Sequence, residues 1–283
     1  MHDWDRWIGR EEVRSDWVGT EAVTRWLATL DRTEQADGNV PQGYHWCLCT
    51  PEVWTETLGP DGHPRRDDGP ASFLPPVALP RRMWASSKIE FHAPLCPGDG
   101  VRRRSTVQSV TAKQGGSGQL VFVDVAHETS IPAGLAVREV QSLVYREAPL
   151  PGTPPAPPSL GEGRFDPSEW TTHRALVPSE TLLFRYSALT FNSHRIHYDA
   201  PYAVDEENYR GLVVHGPLTA TLLLDLAQRE FGDNTLKSFA FRGVSPAICG
   251  EMLHLVLRSK DAAFELGAFA ADGRHVMSAS ATR

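Results

Sequence analysis

The chain has 283 residues, 41% hydrophobic and 22% charged, with a formal charge of -7. That length permits one large domain or two of roughly 140 residues, either able to bury a sizeable core. The acidic balance, with no basic domain or stripe, argues against a nucleic-acid partner, and no apolar run is long enough to span a bilayer, so no membrane association is expected.

The amino terminus, MHDWDRWIGR, lacks the basic start and apolar run of a secretory signal. Four cysteines, Cys47, Cys49, Cys96 and Cys249, are too few and too scattered for a disulfide framework, which points to a cytoplasmic chain with reduced thiols. No second cysteine or histidine pair stands at zinc spacing from Cys47 and Cys49, so a structural metal is discounted.

Residues 9–31 read as a helical entry with Thr20 as N-cap, because Ala22, Val23, Trp26, Leu27 and Leu30 recur at spacings of three and four. An aromatic segment, 43–49, leads into a Pro-, Gly- and Asp-rich stretch, 51–80. Its length suggests either a lid or pocket rim or a mobile surface insertion, and both readings stand. Strands are predicted at 88–92, 101–110, 119–129 and 137–146 from their Val, Ile, Phe and Thr content. Arg102, Arg103 and Arg104 are expected on a solvated strand face. The glycine-rich run 114–118 is read as a hairpin connection, since no helix follows it to hold a phosphate.

The proline-rich segment 148–163 reads as a linker between an N-terminal unit, 1–147, and a C-terminal unit, 164–283. The second unit is predicted to hold a helix at 216–230 and strands at 236–244, 251–259, 262–270 and 275–282. Residues 88–99 and 237–251 share a strand with phenylalanine, a proline turn, a cysteine and a Gly-acid pair. Each follows a helix and precedes three further strands. The pattern predicts two copies of one α+β unit side by side.

The polar residues cluster before the second helix. His194, His197 and His215, with Asn192, Asp199 and Asp205, lie just ahead of a segment from Pro217 to Ala227 that is apolar around most of its circumference and therefore belongs in a core. Pro217 suits the first helical turn, and the free N–H groups there carry partial positive charge that could hold a developing oxyanion.

This stretch resembles the MaoC-like hydratase/dehydratase motif of the hot-dog fold, approximately Ser-Gly-Asp-x-Asn-Pro-Leu/Ile-His followed by Gly-Leu-x-x-His-Gly. Thr190-Phe191-Asn192-Ser193-His194-Arg195-Ile196-His197 stands at the first block and Gly211-Leu212-Val213-Val214-His215-Gly216 at the second. With Pro80-Arg81-Arg82-Met83-Trp84 in the front half, the wording is similar to the double hot-dog branch that includes mesaconyl-CoA hydratases and mitochondrial-type 3-hydroxyacyl-thioester dehydratases. The resemblance implies an α+β double hot-dog, each half an antiparallel sheet around a central helix, the rear half carrying chemistry and the front half shaping an acyl pocket.

It further implies reversible hydration of a 2-enoyl thioester, mesaconyl-type or medium-chain, carried by coenzyme A or acyl carrier protein, with no metal or redox cofactor. His197 stands at the catalytic histidine. Asn192 stands where the family has an aspartate, and an amide can orient a water but cannot take its proton. Gly216 is expected to offer its N–H to the thioester oxygen. Tyr186, Arg195, Asp199, His215, Arg82 and Trp84 are candidate pocket residues, Arg195 and Arg82 being the cations available to a dicarboxylic acyl group. His194 is expected to be structural, His215 to support the turn into the helix, and Asp199 to be exposed. A His194–His197 metal pair is set aside because this run is extended and β-rich in the family. Addition of another nucleophile, thioester hydrolysis, or acyl-thioester binding without turnover remain alternatives, and a homodimer is carried as an open expectation.

Overall fold

The computed structural model describes residues 4–33, 38–67, 69–115, 118–150 and 152–283. The front half contributes β1 (Glu11–Trp17), α1 (Thr20–Thr29), β2 (Arg81–Phe91), β3 (Gly100–Gly115), β4 (Gly118–Ile131) and β5 (Gly134–Arg146). The rear half contributes β6 (Thr172–Leu176), α2 (Glu180–Leu189), α3 (Gly216–Phe231), β7 (Ser238–Gly243), β8 (Leu253–Lys260), β9 (Ala263–Ala270) and β10 (His275–Thr282).

All ten strands join one antiparallel sheet in the order β1-β3-β4-β5-β2-β7-β10-β9-β8-β6. Read from either edge inward, the order is the same once five is added to each front-half number, so the repeat seen in the sequence is a repeat in space. The seam is β2 against β7, with Ile89 opposite Phe239 and Ser87 opposite Phe241. These are the two strands whose similar wording signalled the duplication.

Helix α3 packs against β7, β8, β9 and β10. Leu218, Leu222, Leu223, Leu224 and Leu226 are all buried with Phe239, Leu255 and Leu266 in the largest core. Each such leucine contributes about 1.5–3 kcal/mol by leaving water. Its one buried acid, Asp225, is met by three guanidinium groups, from Arg32, Arg174 and Arg229, which tie the helix to β6 and to the chain beyond α1. In the front half the place equivalent to α3 holds only a 3₁₀ turn, Tyr44–Cys47.

Three local expectations are corrected. Residues 11–17 form a strand, not a helix start. The alternation of EEVRSDW, half-buried on one face and exposed on the other, suits a sheet edge paired with β3. The helix begins one residue after its N-cap, which is Gly19 and not Thr20. The run His194–His197, taken as extended, is instead a 3₁₀ turn, Arg195–His197, lying between α2 and a π-helical turn, Tyr202–Glu206. Ser179 caps α2 by accepting from Leu182 N–H.

In the 114–118 hairpin, residues 116–117 lie outside the described residues, while Gly115 and Gly118 pair across it. Arg102 and Arg104 are exposed as expected, but Arg103 turns inward to donate to the carbonyls of Leu48 and Cys49. Among the described residues no helix is long and apolar enough to cross a membrane.

Candidate active site

The end of α2 and the start of α3 frame the site. Phe191 leaves α2 with φ +48, the left-handed region that a glycine takes freely, and its side chain stays exposed. The reversal lets the Asn192 side-chain oxygen accept from His194 N–H at 3.0 Å. The amide NH2 of Asn192 is left without a protein partner among the described residues and can donate to a ligand or water.

His197 is buried at 7% exposure on the 3₁₀ turn. Its Nδ1 lies 2.7 Å from the Val213 carbonyl. A carbonyl only accepts, so the proton sits on Nδ1 and Nε2 carries the lone pair. Nε2 has no protein partner and is not sealed from solvent. Burial pushes the imidazole pKa down to about 3; the Val213 bond opposes this, and His194 and His63 reinforce it. The result is a neutral base with fixed tautomer.

The His215 ring stacks on His197 at 3.5 Å between centroids, and its Nε2 lies 2.9 Å from Ser187 Oγ. His215 occupies the N-cap position of α3, but its side chain makes no capping bond there. Burial, then the charge His197 would carry, hold its pKa well below the usual value. Tyr186 is 1% exposed, packs edge-on against His215 and lies 3.3 Å from Thr221 through its hydroxyl; it is a floor, not a lining. At Gly216 no side chain caps the helix, and a Cβ placed there would meet nothing within 4 Å. The start of α3, next to the stacked His215 ring, thus carries no side-chain cap on its N–H groups.

Other expected residues lie apart from His197. Arg195 and Asp199 form a salt bridge at 2.7 Å, with the guanidinium over Tyr202 and a further bond to the Pro60 carbonyl. Asp199 therefore does not orient the His197 ring, and Arg195 already has its carboxylate. Trp84 donates to Ser87 Oγ and packs on Trp46 and Phe241 in the interior. Arg82 makes no ion pair or hydrogen bond among the described residues, and its charge acts on His194.

Sequence reasoning missed Ser187, Val213 and the loop 59–63. That loop docks on the motif: Arg195 N–H donates to the Asp61 carbonyl at 2.9 Å and Ser193 Oγ to the Gly62 carbonyl at 2.6 Å. Residues 60–62 of the 51–80 stretch are thus bonded onto the motif. The loop delivers Asp61 and His63 beside His194. Ligand atoms of these three lie within 4.8 Å of one another, the one group among the described residues that could hold a metal ion.

A family model described as hydroxyacyl-thioester dehydratase type 2 matches residues 43–249. A protein of Chloroflexus aurantiacus named mesaconyl-C(4)-CoA hydratase is 40% identical over 282 residues, 98% of this chain and 97% of the relative. A MaoC-like dehydratase from Phytophthora capsici superposes with a TM-score of 0.70 at 14% identity, covering 99% of this chain and 98% of that one. A Mycobacterium tuberculosis protein described as a double hot-dog fold gives a TM-score of 0.57 at 14% identity, covering 97% of this chain and 95% of that one. Ten strands repeated as five and five are that double hot-dog architecture.

Proposed function

The chain belongs to the hydroxyacyl-thioester dehydratase type 2 family, and on that footing we propose that it adds water reversibly to the double bond of a 2-enoyl-CoA. The observation that carries the reading is the His197 ring, held through Nδ1 on Val213 so that an unprotonated Nε2 stands beside the uncapped start of α3.

In the dehydration direction Nε2 of His197 removes the proton from C2 of the 3-hydroxyacyl thioester. The electrons move into the C1 carbonyl, whose oxygen is received by N–H groups at Gly216. The enolate electrons then return to form the C2=C3 double bond as the C3–O bond breaks, and the departing oxygen, held by the amide of Asn192, takes up a proton and leaves as water. Negative charge on the enolate raises the proton affinity of a base that is weak in the empty site, so proton transfer and enolate formation support each other.

For the acyl group we favour a short chain with a second carboxylate. The relative named for mesaconyl-C(4)-CoA supports this, and so does the guanidinium of Arg82, which has no ion pair among the described residues and whose charge is felt at His194, whereas Arg195 is committed to Asp199. Coenzyme A is the carrier in this reading and acyl carrier protein the alternative. The cytoplasm is its setting, in keeping with four free cysteines.

The test is a panel of enoyl-CoA esters, mesaconyl, crotonyl and medium-chain, followed by loss of the conjugated thioester absorbance. Mesaconyl-CoA should give the highest kcat/KM, and Arg82→Leu should lower it about tenfold or more while sparing crotonyl-CoA. Free thiol release without hydration, or no turnover of any ester, would overturn the reading.

A further inference from the structure

Replacing the motif aspartate by Asn192 leaves the departing hydroxyl with a hydrogen-bond donor but no acid. The nearest titratable groups outside the motif come from the front half. Asp61 accepts from His63 twice, from the backbone N–H at 3.0 Å and, through its other oxygen, from ring Nδ1 at 3.2 Å. Gripping Nδ1 sets the ring's direction and leaves Nε2 as the working atom, and no protein group among the described residues takes that atom.

The His63 ring lies 4.1 Å from the His194 ring, which lies 5.5 Å from His197, so the three imidazoles are contiguous. The loop is anchored too firmly for chance proximity. Three hydrogen bonds tie residues 60–62 to Ser193 and Arg195. Gly62 approaches so closely that a Cβ would stand 2.0 Å from the Ser193 carbonyl oxygen.

We propose that His63, oriented by Asp61, is the second acid–base group of the reaction, replacing the acid that Asn192 cannot be. The inference rests on the hydratase reading above. In dehydration, His197 takes the C2 proton while His63, protonated against the Asp61 carboxylate, gives its Nε2 proton to the hydroxyl on C3. The C3–O bond breaks and water leaves. His197 is then protonated and His63 neutral, and the proton returns through the intervening His194 ring, restoring both groups. Hydration runs the same steps backward. His63 is thus a catalytic residue and Asp61 a positioning residue.

The same carboxylate and rings would bind a metal by another arrangement, and the experiment separates the two. The full chain is assayed as wild type, His63→Gln, Asp61→Asn, and the double variant His63→Gln with Asn192→Asp, each with a thermal midpoint. Expected are a kcat about 100-fold lower for His63→Gln and about tenfold lower for Asp61→Asn, with KM within about twofold and the midpoint unchanged. The double variant should recover at least about tenfold of the loss, because a carboxyl group in place of the Asn192 amide would restore a proton carrier at the motif position.

Wild-type kcat in His63→Gln overturns the proposal, as does a double variant no faster than His63→Gln. Loss of wild-type activity on chelation, restored by zinc, also overturns it in favour of a metal centre. Absence of hydration by the wild type instead removes the hydratase reading, and this inference with it.

Discussion

Replacing His197 by asparagine separates chemistry from architecture at the residue on which the mechanism depends. An asparagine side chain can still donate N–H to the Val213 carbonyl, the 2.7 Å bond that fixes the ring. The fold therefore loses mainly the stack on His215, at 3.5 Å, and some packed volume, about 1 kcal/mol. The reaction loses its C2 base entirely. A positioned base is worth about 10²–10⁴ in rate, so kcat should fall about 1,000-fold, equivalent to about 4 kcal/mol of barrier. KM should move little, because Nε2 acts on a proton that shifts only in the transition state. The assay is the decay of enoyl-thioester absorbance under saturating substrate, with thermal melts run in parallel. A kcat within threefold of wild type at an unchanged melting point would refute the assignment. By contrast, His197→Ala should also destabilise by about 1–3 kcal/mol, since it leaves the Val213 carbonyl unpaired.

Three other outcomes follow from the same geometry. Gly62→Ala forces a Cβ at φ +83 to within 2.0 Å of a backbone oxygen, so the 59–63 loop must lift; we expect about 1–3 kcal/mol lost in denaturant melts and at least a tenfold fall in kcat. Asp225→Ala, removing the carboxylate shared by Arg32, Arg174 and Arg229, should cost about 3–5 kcal/mol and bring the thermal midpoint down without changing KM in whatever enzyme stays folded. Acid should destabilise the fold through its histidines. His194 and His197 are each held down to about 3 by burial, and His215 lies well below its usual value. With folded values below the unfolded one of about 6.5, the unfolded chain takes protons first. Stability is then complete above about pH 6.5 and declines toward pH 3, by up to about 1.4 kcal/mol per pH unit for each group. Melts that are flat between pH 7 and 4.5 would contradict this.

The sequence made the repeat and the rear-half helix legible because both are local patterns. Phe, Pro, Cys and Gly-acid spacing marks β2 and β7, and an apolar circumference after Pro217 marks α3. Helix α2, over which the sequence predicts no element, escaped because its start is marked only by the Ser179 cap. Strand β1 escaped because a half-buried edge resembles a helix entry. Arg195 as a carboxylate receptor could have been doubted earlier, since Asp199 four residues on is the spacing at which opposite charges pair on a helical turn. Asp61 and His63 could not be found by any such rule. Their loop meets the motif across 131 residues of sequence, and only the folded chain brings them together.

The two halves of the duplicated fold differ in the polar groups that they leave open. The polar cluster of the front half is Glu139, with His45, Trp46 and Ser87 turned onto it. Ser87 Oγ donates at 2.5 Å, the Trp46 indole lies 3.2 Å from both carboxylate oxygens, and His45 Nε2 stands 3.4 Å away. Glu139 and His45 are 4% and 6% exposed. Burial alone would push the Glu139 pKa up, yet His45, His127 and Ser87 bring it below the usual range, so the carboxylate stays charged and its oxygens are taken. A charge so satisfied has nothing left for a substrate. In the rear half the corresponding core position is held by a full helix, and the groups at its start keep their valences open: Nε2 of His197, the amide of Asn192, and the uncapped N–H groups at Gly216. The difference lies in which polar groups are left unsatisfied and reachable, and under the proposed mechanism the loop that carries Asp61 and His63 gives the front half a part in the rear-half site.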